Sequence, residues 1–321
     1  ALDNYPSRRI KKGHKVAVCE QLSDPATSKG LVDRGVVRVV TPGTVLESAL
    51  LDQKTNNYLV AVSQHEGRAG LAYVDITTGE FSATELLLQE VSLELERIEA
   101  AEVLVPNSGE PPVWMDPGGN GTGPRYELSP VESRTFHTGE ARQALLSHYG
   151  ILTLESFGCE GMDLAVAAAG AILEYLARTQ KAAVLQLGNL AIYATGSFMV
   201  LDSQTRRNLE LFSAGRNESK ELSLLAALDR TKTAMGGRLL RQWLGQPLLD
   251  LTALEQRLDA VDHFYLDGLK RADSISSLNK VSDLERIIGR IVSGTVNPRE
   301  LIALKDGLAA VPSLRELGDS I

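Results

Sequence analysis

Cysteine is nearly absent from this sequence. Cys19 and Cys159 are the only two, and they stand far apart. Two thiols without metal-ligand spacing exclude a disulfide framework and read as a reduced, cytoplasmic chain. Histidine is also sparse: His14, His65, His137, His148 and His263 are scattered, with no HxxxH or HExxH pair to hold zinc. Aromatic residues make up 5%, so aliphatic side chains and alanine must build the core. No apolar run approaches the ~20 residues of a membrane span; the most apolar window, residues 164–173, ends at Glu174 and reads as a buried helix. No charged-then-apolar leader follows Ala1. Phosphate-binding loops are missing as well. The nearest stretch, Gly215-Arg-Asn-Glu-Ser-Lys220, lacks a second glycine and follows no predicted strand. GxGxxG, GxSxG and EF-hand patterns do not occur. We therefore expect no catalytic, cofactor-binding or metal-ligating residue in this chain.

What is present is ordinary globular material. The 321 residues are 43% hydrophobic and 23% charged, enough for two domains at roughly 100–200 residues each. A net charge of −8 argues against a surface that is wholly a nucleic-acid footprint and leaves room for a local basic face.

Four zones follow one another. The first, to about residue 44, holds a basic turn (Arg8, Arg9, Lys11, Lys12, Lys15), short strands over 15–19 and 36–40, and the turn Thr41-Pro-Gly-Thr44. The second, about 46–181, opens with strands at 58–64, 71–77 and 80–86. Gly67, Gly70 and Gly79 are read as lying in the gaps, so the strands should pair as antiparallel hairpins. A helix over 89–100, a buried strand over 102–105, a Pro/Gly-rich surface loop over 106–124, and helices at 140–149 and 163–180 complete it. The order β-β-β-α-β-α-α is that of an RNase H-like α/β layer. The third zone, 187–201, is mixed, with a strand-like 197–201. The fourth is helical. Residues 229–244 carry Met235, Leu239, Leu240 and Trp243 on one stripe and stop at Pro247. Thr252 with Glu255, Ser282 with Glu285, and Asn297-Pro-Arg-Glu300 each have capping-box spacing. The fold class is thus α/β plus all-α.

Few residues invite chemistry. Asp75 in Asp75-Ile-Thr-Thr-Gly79 has two readings. It is a turn-capping carboxylate, or a ligand in a metal-dependent RNase H-like nuclease, which would need further carboxylates converging on ions ~4 Å apart. The basic group 8–15 reads as a solvated helix end or as a phosphate contact. Arg206-Arg207 beside Glu210 suggests a salt-bridged helix start. The run 165–171 is core, with small side chains that let helix and sheet approach closely.

Longer blocks carry a resemblance. Lys15-Val-Ala-Val-Cys-Glu-Gln21, Asp24-Pro25, Lys29-Gly30, Arg34 and Val36-Val-Arg-Val-Val-Thr-Pro-Gly-Thr44 resemble the end of the mismatch-binding domain of the MutS family. Leu201-Asp202, Thr205-Arg-Arg-Asn-Leu-Glu210 and Leu228-Asp-Arg-Thr-Lys-Thr-Ala-Met-Gly-Gly-Arg-Leu-Leu-Arg-Gln-Trp-Leu244, with Pro247-Leu248, are similar to the start of its core domain. Asp283-Leu-Glu-Arg286 and Asn297-Pro-Arg-Glu-Leu301 continue the match, collinear along the whole chain. The resemblance implies a mismatch-domain tail (1–44), an RNase H-like connector domain (45–184) and the first part of a helical core or lever domain (185–321). Both ends then read as cut. The family's Phe-x-Glu reading motif would lie before residue 1, and its clamp and ATPase after residue 321. Mismatched double-stranded DNA, MutL, ATP with Mg, and self-association as a dimer are implied for the whole family protein, with no membrane. Within this chain the implied role is a scaffold that couples mismatch binding to the ATPase state and recruits a partner. Arg142 and Gln143, projecting from the helix that buries Leu145 and Leu146, are the candidate partner surface.

Overall fold

The computed structural model describes residues 9–10, 13–21, 34–47, 50–115, 126–180, 182–215 and 219–319. The chain divides into two compact units. One comprises residues 1–51 and 57–193; the other comprises 52–56 and 194–321.

In the first unit, β1 (Val16–Gln21) and β2 (Arg34–Val40) form an antiparallel ladder, with a register shift between Val18 and Cys19. The ladder leads into a 3-10 turn, Pro42–Thr44, closed by a reciprocal capping box between Thr41 and Thr44. Then come β3 (Leu59–His65), β4 (Arg68–Asp75) and β5 (Glu80–Leu87), the two antiparallel hairpins expected from the sequence. Helix α1 (Val91–Ile98) ends at Glu99, which takes the left-handed conformation at φ 56. β6 (Glu102–Pro106) joins β3 in parallel, β7 (Glu127–Val131) joins β6, and β8 (Ala191–Ile192) joins β5, giving the order β7-β6-β3-β4-β5-β8. Three antiparallel strands extended by parallel ones make the RNase H-like layer.

Period-two alternation explains the two cores. Leu59, Ala61, Ala72 and Val74 face α2 (Thr138–Tyr149) and α3 (Asp163–Thr179), while Val60, Val62, Leu71 and Tyr73 face Val91, Leu95 and Ile98 of α1. The alanine run of α3 is buried as expected. A Cβ on Gly170 would come within 2.3 Å of the Ala141 Cβ, so the two helices touch backbone to backbone.

Several expectations need correcting. Gly70 is not in a gap but inside β4, where a Cβ would lie 2.0 Å from the Leu164 carbonyl carbon. Its missing side chain admits the start of α3, and Glu85 of β5 caps that start by accepting from the Leu164 amide at 2.9 Å. β7 was not expected. Pro130 within it argues against a strand, yet β7 is an edge, where an absent N–H costs little. The loop after β6 is not all surface either, since Trp114 inserts into the α1-side core. Residues 197–201 form no strand; Phe198 makes one bridge to Leu248, and the Met199 amide donates to Pro247 O at 2.8 Å.

The second unit is helical: α4 (Ser203–Asn208), α5 (Leu224–Leu228), α6 (Ala234–Gly245), α7 (Leu251–Leu266), α8 (Gly268–Leu278), α9 (Leu284–Val292) and α10 (Pro298–Gly318). Each begins with a side-chain cap, from Asp202, Ser223, Thr233, Asp250, Asp267, Asp283 and Asn297 in turn. A cap stabilises a helix by about 1 kcal/mol. The Asn297–Glu300 box forms as its spacing predicts. The other two boxes do not. Asp250, not Thr252, caps α7, and Asp283, not Ser282, caps α9. An ionised carboxylate also favours the positive end of the helix dipole, so the neighbouring Asp wins over the hydroxyl. On α6 the expected apolar stripe is not the buried one: Leu239 and Trp243 stay partly exposed, while Gly237 and Arg238 face inward.

Candidate functional site

Charged side chains are buried at the places where the chain passes from one unit to the other. It leaves the first unit after Leu51, gives residues 52–56 to the second, returns at Asn57 and leaves again after Tyr193.

Residues 52–56 have no helix or strand of their own and are held within the second unit by two buried arginines. Arg238 of α6 donates to Gln53 O at 2.9 Å, and Arg286 of α9 donates to Asp52 O at 2.9 Å and Thr55 O at 2.6 Å. Arg238 also reaches both Asp283 oxygens at 2.8 Å and Glu285 at 2.7 Å. This planar, bidentate pairing is what a guanidinium does and an ammonium cannot. Lys54 lies against α6 where Gly237 leaves space; a Cβ there would sit 2.6 Å from its Cγ. Its Nζ donates to Asp229 Oδ2 at 2.7 Å, while Asp229 Oδ1 accepts from the amide and hydroxyl of Thr231. Burial alone would raise the Asp229 pKa, but the bonds from Lys54 and Thr231 outweigh it and hold the carboxyl below its ordinary value.

In the first unit the chain is tied at both ends of the sheet segment. The Asn57 amide donates to Asp75 Oδ2 at 3.2 Å, and its side-chain NH2 donates to Pro42 O at 2.9 Å. Asp75 is fully buried, and its other oxygen accepts from the Thr77 amide at 2.8 Å and hydroxyl at 2.6 Å, the turn role anticipated for it. Among the described residues no three His, Cys, Asp or Glu side chains gather as a metal site would need. At the far end, Tyr193 donates to Glu94 at 2.6 Å, and Glu94 pairs with Arg97, itself 5.4 Å from the Tyr193 ring. Burial first, then the Glu94 charge, pushes this phenol well above its ordinary pKa, so it remains a donor.

A second buried carboxylate fastens the turn at 41–44. Glu102 of β6 accepts from the Thr41 hydroxyl and the Gly43 amide on one oxygen, and from the Ser129 and Tyr175 hydroxyls on the other. Lys15 lies 3.9 Å away.

The remaining anticipated residues are not gathered with these. Arg142 on α2 pairs with Glu160 at 3.2 Å and Asp163 at 3.7 Å, and Gln143 is exposed beside Ser147. Of the basic group, Arg8, Lys11 and Lys12 lie outside the described residues; Arg9 is exposed, and Lys15 serves Glu102. Arg206 and Arg207 fall in the last turn of α4, not at its start. Arg206 donates to Gly245 O at 2.7 Å, and Glu210 accepts from the Gly215 amide. Sequence reasoning placed Glu102 in a buried strand but not its partners, and it missed Arg238 and Arg286 as interior groups. The available signal was position: Arg238 directly follows a glycine pair, and Arg286 closes an Asp-x-Glu-Arg block.

Fold and site together define a protein of two units, an RNase H-like layer and a set of capped helices, each with buried charges bonded to its own backbone. Comparison makes the class specific. The family descriptions MutS domain I, MutS domain II and MutS domain III match residues 1–49, 57–191 and 204–320. The chain is 44% identical over 321 residues to the DNA mismatch repair protein MutS of Dehalococcoides mccartyi (strain CBDB1), covering 99% of this chain and 36% of that protein. It is 44% identical over 327 residues to the protein of that name from Symbiobacterium thermophilum, and 42% over 334 residues to that of Methanosarcina acetivorans, with 98% and 36% covered in each case. The chain belongs to the MutS family. It spans little over a third of the length of these curated relatives, 36% in each.

Proposed function

We propose that this chain is the connector and core scaffold of a DNA mismatch-recognition protein. It couples the binding of mismatched double-stranded DNA to the state of an ATPase that uses ATP and Mg, and it takes part in recruiting MutL. The observation that supports coupling is that each passage of the chain between units is bonded to buried charge: 52–56 by Arg238 and Arg286, Asn57 by Asp75, Tyr193 by Glu94. Backbone held in this way within its own unit moves with that unit, whereas a flexible linker absorbs displacement. The partner surface is assigned to α2, where Arg142 and Gln143 stand outward over buried Ala141 and Leu145. The parent protein acts as a dimer.

The test is made in the full-length protein. Arg286→Ala should leave affinity for a G·T duplex within about threefold of the parent while reducing the change in that affinity on adding ATP by about tenfold, roughly 1.4 kcal/mol of coupling. An unchanged nucleotide response would overturn the coupling role. For the partner surface, Arg142→Glu with Gln143→Ala should weaken MutL binding on mismatched DNA without altering DNA affinity.

A further inference from the structure

β1 and β2 form a two-stranded sheet of their own, and both ends of its root come to one carboxylate. Val16 pairs with Val40, so the next positions outward are Lys15 and Thr41. Glu102 of β6 meets each with a different oxygen. Oε2 accepts from the Thr41 hydroxyl and, at 2.9 Å, from the Gly43 amide, while Oε1 lies 3.9 Å from Lys15 Nζ. The carboxylate is itself held in one orientation, because Oε1 also accepts from Ser129 of β7 and, at 2.8 Å, from Tyr175 of α3. Lys15 Nζ stands 5.6 Å from the centre of the Tyr175 ring, so two groups of the sheet unit place the ammonium. The Glu102 side chain is fully buried, which spares the pair much of the screening that weakens an open surface pair. Other ties at the root hold one end each. Pro42 O and Thr44 O accept from Asn57 and Gln180 after β2, Arg38 pairs with Glu47 farther along that segment, and Gly13 lies against Glu127 before β1. Ile10, Val40 and Val45 cluster with Val16 and Val18, an apolar contact that adheres without setting a direction.

We propose that Glu102 is a positioning residue for the β1–β2 ladder: gripping Lys15 on one oxygen and Thr41 on the other, it fixes the direction in which the ladder leaves the sheet. A single grip is a pivot, about which the ladder can turn. Two grips at opposite sides of the root define a line. Direction matters because the ladder is long for its base. The six residues of β1 reach about 20 Å, so a swing of about 10° at the root carries the far end about 3 Å. That is well beyond the range over which a hydrogen bond survives. The ladder lies in the part matched by MutS domain I. On the function proposed above, on which this consequence rests, Glu102 aims the part of the protein that meets mismatched DNA without touching DNA itself. The grip does not depend on that function, and a separate measurement tests it.

The experiment measures, in the full chain, the distance between a spin label on Cys19, exposed on β1, and one on Leu152→Cys, an exposed position of the sheet unit; Cys159 is buried and stays unlabelled. Lys15→Met and Thr41→Val each remove one grip and keep most of the side chain's shape. Each should broaden the distance distribution by about twofold, as much as Glu102→Gln does, because the grip that remains is a pivot. Lys15→Arg and Thr41→Ser should keep the parent width. A control pair within the sheet unit, Leu87→Cys with Leu152→Cys in a Cys19→Ser background, should be unchanged in every variant. An unchanged width in Lys15→Met or in Thr41→Val would make the grip one-ended and overturn the proposal. Equal broadening of the control pair would show general loosening and overturn it too, as would lost stability with no broadening. In the full-length protein, Thr41→Val should lower the preference for a G·T duplex over a paired one by about fivefold, with affinity for the paired duplex within about twofold of the parent. Broadened distances with an unchanged preference would overturn the aiming of DNA contacts and leave the grip standing.

Discussion

Arg238 meets Asp283 through two bonds of 2.8 Å each, so the carboxylate that caps α9 is also the one that anchors α6. Arg238→Ala removes one partner of this largely buried pair and strands Asp283 and Glu285. We expect a loss of about 3 kcal/mol. Urea unfolding followed by Trp243, the tryptophan of the helical unit, measures it. Arg238→Lys should recover less than half, since one ammonium cannot serve two carboxylates and a carbonyl in a plane.

Acid should find the same pair. Burial raises the Asp283 pKa, but the bonds and charge of Arg238, then the Arg286 amide, outweigh it, and the carboxyl ends below its ordinary value. A depressed folded pKa contributes stability that is complete above the unfolded value of about 3.9 and is lost as pH falls through the lower folded value. The helical unit should therefore hold its urea midpoint from pH 7 to about pH 5 and lose stability below about pH 4. Asp283→Asn keeps a capping side chain and should flatten that acid limb. An equally steep limb in the variant would assign the acid sensitivity elsewhere.

Glu102→Gln tests the buried carboxylate of the sheet unit. Four donors converge on its two oxygens, and a side-chain NH2 would face donors in place of an acceptor. The expected loss is about 1–3 kcal/mol, read from Trp114, which is buried in that unit.

Gly70 and Gly67 form an internal control. Gly70→Ala places a methyl 2.0 Å from the backbone of α3, which cannot retreat as a flexible side chain would, and should cost about 3 kcal/mol or more. Gly67→Ala meets nothing within 4 Å and incurs only the strain of φ +78, about 1 kcal/mol. Similar losses at the two sites would contradict the close seam between β4 and α3.

Asp75 accepts from the Asn57 and Thr77 amides and the Thr77 hydroxyl, so Asp75→Asn should cost about 1–2 kcal/mol with one acceptor position lost. Its melting temperature and that of the parent should be unmoved by millimolar Mg²⁺ or Mn²⁺. Ion-dependent stabilisation of the parent alone would revive the nuclease reading.

The parts of the fold legible from sequence were those set by local chemistry. The hairpin strands alternate, the Ala165–Ala171 run is uniformly small, and Asn297-Pro-Arg-Glu300 spells its own cap. What escaped depends on distant partners. Glu102 begins a strand read as buried, but nothing local shows that Thr41, Ser129 and Tyr175 converge on it. Arg238 sits among residues of a long amphipathic block, and only Asp283, 45 positions on, makes it an interior group. Gly70 resembles a turn glycine because its reason, α3, lies more than 90 residues downstream. Thr252 and Ser282 have capping-box spacing, yet an aspartate close by in each case takes the cap.

The segment 52–56 also has a place in time. Its carbonyl bonds to Arg286 span 234 and 231 positions of sequence, and the whole sheet segment 57–193 is inserted between them. On a ribosome adding roughly 5–20 residues per second, residues 52–56 emerge roughly 10 to 50 s before the arginine that will hold them. The sheet unit can fold while its neighbour is still being made. The helical unit, which contains the earlier-made piece, is the last to close.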